Sequence, residues 1–133
     1  MNKPVILVVE DNSVLQRVIQ LLARRHGVDA DVVSNGEAAL TAFNAGRSYA
    51  LVLMDWRMPD MDGLECTRRI RDVEKRTGSH IPIVAMTANA ADEDKQECFD
   101  VGMDDYMSKP FSSEQFRDTL LRWVPADSIQ AAM

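Results

Sequence analysis

Five polar residues of the 133-residue chain stand just behind short apolar runs. Glu10 and Asp11 follow Val5-Ile6-Leu7-Val8-Val9, Asp55 follows Leu51-Val52-Leu53-Met54, Thr87 follows Ala85-Met86, and Lys109 comes after Tyr106-Met107. If these runs are neighbouring parallel strands, their C-terminal ends share one edge, the edge at which open α/β sheets bind ligands. Three carboxylates facing one crevice repel one another and need a counter-charge. A hard divalent cation supplies it, and Mg²⁺ takes oxygen ligands in an octahedron, keeping several waters beside one or two carboxylates. Three carboxylates with Mg²⁺ leave about −1, which Lys109 brings to about neutral; a phosphoryl group carried on Asp55 returns the site to about −1. That arithmetic suits phosphoryl transfer to a carboxylate nucleophile. Each residue taken singly has a plainer reading: Asp11 as a helix cap, Thr87 as a turn residue, Lys109 as a solvated charge, Tyr106 as a core aromatic. Their joint occurrence at strand ends favours the chemical reading.

The elements that must position these groups alternate along the chain. Val5–Val9 reads as a strand buried on both faces. Val14, Leu15, Val18, Ile19 and Leu22 then recur at helical spacing, with Ser13 to cap that helix and Gly27 to end it. Residues 31–33 form a weaker second strand. Gly36 to Ala45 reads as a helix with Ala39, Leu40 and Phe43 inward, and the Asn35-Gly36 pair is no hairpin, because no alternating strand follows it. Residues 51–54 make a third strand, Leu64 to Arg76 a helix with Leu64, Thr67, Ile70 and Val73 on one stripe, and Ile81 to Met86 a fourth strand. Ala91 to Val101 is a short helix ended by Gly102, and Tyr106-Met107 a brief fifth strand. The last helix carries a Ser112/Gln115 capping box and a Phe111/Phe116 staple, with Phe116, Leu120, Trp123 and Val124 inward and Pro125 to stop it. Five strands alternating with five helices predict a doubly wound α/β fold, a parallel sheet covered on both faces. Residues 1–125 are expected to form one domain, with 126–133 a short tail.

Bulk properties narrow the function. A net charge of −6 argues against direct DNA binding. No apolar run approaches a membrane span or a signal peptide, so a cytoplasmic place is expected. Cys66, Cys98, His26 and His80 show no zinc or disulfide spacing and read as ordinary residues of a reducing compartment.

At the same strand ends the chain resembles the response-regulator receiver domain of two-component signalling. The motifs are Val9-Glu10-Asp11-Asn12, the stretch from Leu53 through Asp55-Trp56-Arg57-Met58-Pro59 to Gly63, then Ala85-Met86-Thr87-Ala88-Asn89-Ala90, and Asp105-Tyr106-Met107-Ser108-Lys109-Pro110-Phe111. The resemblance implies a flavodoxin-like sheet of order 2-1-3-4-5 and a phosphoryl-accepting switch fed by a histidine kinase or a histidine phosphotransfer protein. It implies Asp55 as phosphoacceptor, and Mg²⁺ (or Mn²⁺ in its place) on Asp11, Asp55, nearby Glu10 and the Arg57 backbone carbonyl. Thr87, Lys109 and the Ala88 N–H would meet the phosphoryl oxygens. Tyr106 would be the switching aromatic, and Lys109-Pro110 a cis peptide bond. Such a chain is not an enzyme on outside substrates, and is a monomer or a weak phosphorylation-dependent dimer. Residues 86–90 and 102–106 look most like receivers of hybrid sensor kinases, so an alternative is a domain excised from one. A non-phosphorylated pseudo-receiver is disfavoured by the complete Glu/Asp, Asp, Thr and Lys set. A flavodoxin-type cofactor site is disfavoured by Glu10-Asp11, which would repel a phosphate where a neutral loop is needed. A stand-alone phosphatase is disfavoured because no second acid closely follows Asp55; Asp60 and Asp62 read as loop and helix-start residues.

Overall fold

The computed structural model describes residues 4–45, 48–56, 58, 61–88 and 92–124. The expected Pro125 stop and the 126–133 tail lie outside these residues, as does the start of the expected fourth helix at Ala91. The chain runs β1 (Val5–Val9), α1 (Ser13–Arg25), β2 (Asp29–Val33), α2 (Gly36–Asn44), β3 (Leu51–Asp55), α3 (Gly63–Thr77), β4 (Ile83–Thr87), α4 (Asp92–Asp100), β5 (Asp105–Ser108) and α5 (Ser113–Trp123). All pairings are parallel and the sheet order is β2-β1-β3-β4-β5, as the resemblance implies. Every residue of β3 and β4 is buried, which is why these strands read as unbroken apolar runs.

Alternation along the central strands splits the core into two layers. Ile6, Val8, Leu53 and Met86 pack with Ile19 and Ala23 of α1 and Phe116 and Leu120 of α5. Leu7, Val9, Met54 and Ala85 pack with Ala39 of α2, Ile70 of α3 and Cys98 of α4. The register brings the strand ends level: Val9 pairs with Met54, Asp55 with Met86, and Thr87 with Ser108.

Several local expectations shift. The α1 cap is Asn12 rather than Ser13, because its side-chain oxygen reaches the N–H groups of both Val14 and Leu15. Gly27, with φ +76°, does turn the chain out of α1. β2 begins at Asp29, two residues early, since Asp29 and Ala30 pair with Val5 and Ile6 through backbone alone. β4 starts after Pro82, which has no N–H for the ladder, and extends through Thr87. The inward face of α1 is Leu15, Ile19, Leu22 and Ala23; Val14 and Val18, expected in the same stripe, are 72% and 42% exposed. In α5 the capping box is complete, and the Phe111 and Phe116 rings stack with centroids 6.0 Å apart. Among the described residues no helix is long and apolar enough to cross a membrane. Both cysteines are free and buried, and burial pushes the Cys66 thiol up to about 12, which keeps it a protonated, inert packing group.

Candidate phosphoryl-accepting site

The crevice opens where β1 and β3 part toward their following helices, the switch point of the sheet order. It is a cavity of about 270 Å³ whose lining includes Glu10, Asp11, Asp55, Thr87, Ala88 and Lys109. Backbone bonds hold the strand ends in place: Glu10 N–H donates to Val33 O at 3.0 Å, Trp56 N–H to Met86 O at 3.1 Å, and Lys109 N–H to Thr87 O at 2.7 Å. The Lys109-Pro110 bond is cis, as expected.

One carboxylate oxygen each from Glu10, Asp11 and Asp55 lies within 4.8 Å of the others. Glu10 and Asp55 are buried and Asp11 is exposed. The Lys109 ammonium donates to Asp55 Oδ1 at 3.1 Å and lies 2.7 Å from Glu10 Oε1. Burial, with Glu10's charge beside it, pushes the Asp55 carboxyl up to about 7, against the opposing pull of its Lys109 hydrogen bond. Burial works against the Lys109 ammonium, but hydrogen bonds and charge from Glu10 and Asp55 outweigh it and raise its pKa. Among the described residues the acids therefore lack counter-charge: one ammonium serves two buried carboxylates. Among the same residues Glu10 Oε1, fully buried, has that ion contact and no hydrogen-bond donor of good geometry. An oxygen-rich, under-neutralised pocket of this kind fits a hard divalent cation.

The structure thus brings Glu10, Asp11, Asp55, Thr87, Ala88 and Lys109 together, as their types and positions suggest. Tyr106, grouped with them in the sequence reading, does not line this crevice. It sits half-buried on β5, beside a separate cavity of about 300 Å³ with Asp105, Asp118 and Arg122, and the Lys95 ammonium stands 4.5 Å from its ring centroid. Arg57 lies outside the described residues. Gly63 had no role assigned beyond its motif. Its N–H donates to Trp56 O at 2.8 Å, and a Cβ there would collide with the Asp55 carbonyl oxygen and come within 2.9 Å of Met54 Cγ. Only a glycine lets α3, capped by Asp62, press this closely on the strand end that carries Asp55. The Asp-Gly step ahead of an amphipathic run was the signal for it.

Residues 6–121 match the response regulator receiver domain family. The chain belongs to that family. As a receiver domain it is a signalling switch of two-component and phosphorelay systems. It is 42% identical over 125 residues to the hybrid signal transduction protein dokA of Dictyostelium discoideum, covering 94% of this chain but only 7% of that protein. The chain thus spans a small fraction of the length of the curated relatives it matches. The receiver domain of a Pseudomonas aeruginosa sensor histidine kinase, solved with a magnesium ion coordinated in its active-site cleft, is 38% identical with TM-score 0.83 over 94% of this chain and all of that one. The Saccharomyces cerevisiae Ssk1 receiver domain, solved with the histidine phosphotransfer protein Ypd1, is 28% identical with TM-score 0.86, covering 95% of this chain and 96% of that one.

Proposed function

We propose that Asp55 accepts a phosphoryl group from a phosphohistidine of a histidine kinase or phosphotransfer protein, with Mg²⁺ held by Glu10, Asp11 and Asp55. The observation that carries this reading is the single Lys109 ammonium shared between two buried carboxylates beside a third. A bound Mg²⁺ would supply charge neutralisation at the transferring phosphoryl oxygens. Asp55 in its ionised form attacks phosphorus in line. The new O–P bond forms as the donor's N–P bond breaks, and the electron pair leaves with the imidazole nitrogen. Lys109 is already on the Asp55 carboxylate and needs only a small displacement to pair with a phosphoryl oxygen. Thr87, at the end of β4, and Ala88 also line the crevice, and the Thr87 hydroxyl and the Ala88 N–H would serve as further donors.

Magnesium in a relative's cleft and a phosphotransfer protein bound to another relative both support the reading. The charge on Asp55 is then read out as a population shift on the face of α4, β5 and α5, where Tyr106 is half-buried against the core.

Acetyl phosphate with Mg²⁺ should add one base-labile phosphoryl group, seen by intact mass, and Asp55→Asn should show none. An equal yield from the variant would remove Asp55 as the acceptor. In a companion NMR titration, beryllofluoride should shift both Thr87 and Tyr106; a shift at Thr87 alone would leave the acceptor in place and refute the readout through Tyr106.

A further inference from the structure

Glu10 is restrained at every polar group it has. Its N–H donates to Val33 O, its Oε2 accepts the Asn12 N–H at 3.0 Å, and its Oε1 faces Lys109. The fourth restraint comes from a side chain with no part in the chemistry described above. Gln16, half-buried in the first turns of α1, donates through Nε2 to the Glu10 carbonyl oxygen. The same nitrogen reaches Ser34 Oγ, after β2, at 3.2 Å. The Glu10 carbonyl and the Asp11 N–H belong to one planar peptide group. Holding that oxygen therefore fixes the plane from which both acidic side chains project.

We propose that Gln16 is a positioning residue: its carboxamide locks the Glu10–Asp11 peptide between α1 and the loop after β2, and so sets the cation affinity of the crevice. This rests on the metal reading given above. Without Gln16 the peptide can rotate, Asp11, already exposed, loses its fixed relation to Glu10, and the oxygens must be ordered when the cation arrives. Binding then carries an ordering cost that the wild-type loop has met in advance. A hydrogen bond of this class corresponds to a factor of about 2–12 in an equilibrium constant.

The test uses Gln16→Met, which keeps the length of the side chain and removes both donors. Mg²⁺ titration followed by fluorescence of buried Trp56 should give a Kd raised about 2–12-fold, with the melting temperature in EDTA close to wild type. Amide exchange at Asp11 in EDTA should quicken. Gln20→Met, an exposed position on the same helix, should change none of these readouts. A Gln16→Met protein with unchanged Kd and unchanged Asp11 exchange would overturn the proposal. So would a large fall in melting temperature with Kd unaltered, the mark of a purely structural contact. If wild type itself failed to bind Mg²⁺, the ligand assignment would fall separately. The Asp11 exchange would then decide alone: quickened exchange upholds the positioning role and unchanged exchange overturns it.

Discussion

His26 shows how a residue outside the crevice can still govern the molecule's behaviour. It is buried at the C-terminal end of α1, its Nε2 has no hydrogen-bond partner among the described residues, and its ring stacks on Phe116 of α5 with centroids 6.5 Å apart. Burial first, then the charges of Arg117 and Arg25, hold its pKa below the ordinary value. The unfolded chain therefore takes up a proton near pH 6.5 that the folded chain refuses. Stability is fully present above that value and falls as pH drops through it, levelling only below the folded pKa. His26→Phe keeps the stacked ring and removes the titration. Urea unfolding at about pH 7.5 and about pH 5.5 should show a smaller loss of stability in the variant than in wild type; equal losses would show that His26 contributes nothing to the acid sensitivity. Nothing in the sequence marked His26 beyond its lack of metal-ligand spacing, because its environment is made by α5, ninety residues away. The crevice residues were legible for the opposite reason. Each stands at or just past the C-terminal end of a strand, so parallel pairing alone brings them together, whereas a side-chain contact such as Lys109 on Glu10 depends on rotamers that no local pattern encodes.

At the scale of elements, the strand and helix alternation was plain because apolar runs and helical periodicity differ in period. What stayed hidden were edges set by pairing, as at Asp29, and the network that fixes α3 to the far end of the sheet. Arg71 of α3 donates to the Gly102 carbonyl at 2.9 and 2.8 Å, to Ile81 O at 2.8 Å, and pairs with Glu74 and Asp104. Glu74 in turn accepts the Ile81 N–H, and Asp104 Oδ2 the Ile83 N–H at 2.9 Å. One guanidinium thus ties α3, the start of β4 and the turn between α4 and β5 into a rigid base opposite the crevice. In the sequence Arg71 is one of five arginines and lysines between residues 68 and 76, with nothing to single it out. Arg71→Met leaves Glu74, only 4% exposed, with an uncompensated charge. Loss of one partner from a buried pair costs about 3–5 kcal/mol, and because Asp104 keeps some access to water the lower end is expected. Denaturant unfolding of Arg71→Met, and of Arg71→Met with Glu74→Gln, checks this: the double variant should recover part of the loss. A single variant as stable as wild type would reduce the network to surface decoration.

For the whole molecule, the layered core leaves α1 with two apolar faces, and that duality explains a misreading. Helical spacing collected Val14, Leu15, Val18, Ile19 and Leu22 into one stripe, whereas packing divides them. Leu15 belongs to the core beside α5, while Val14, Val18 and Leu21 are exposed at 72%, 42% and 57%. These three, with exposed Arg17, Arg24 and Arg25, recur at spacings of three and four and so form one outward face. The face begins beside Asp11, at the rim through which, on the proposed function, a phosphohistidine would approach Asp55. Leu15 is thereby assigned to packing, and a docking role falls to its exposed neighbours. A clustered apolar face on an otherwise acidic chain is the kind of feature that marks a partner site. A phosphotransfer protein seated there would bury Val18 and Leu21 at the centre of the contact, with the arginines at its edge. Val18→Asp with Leu21→Asp should therefore slow phosphoryl transfer from a phosphorylated phosphotransfer protein by on the order of tenfold or more. Reaction with acetyl phosphate, which needs no docked protein, should keep its wild-type rate. Radiolabel transfer with the two donors side by side reads both quantities. Unimpaired transfer from the protein donor would place docking elsewhere on the rim, and equal loss with both donors would mean that the substitutions disturb the crevice itself.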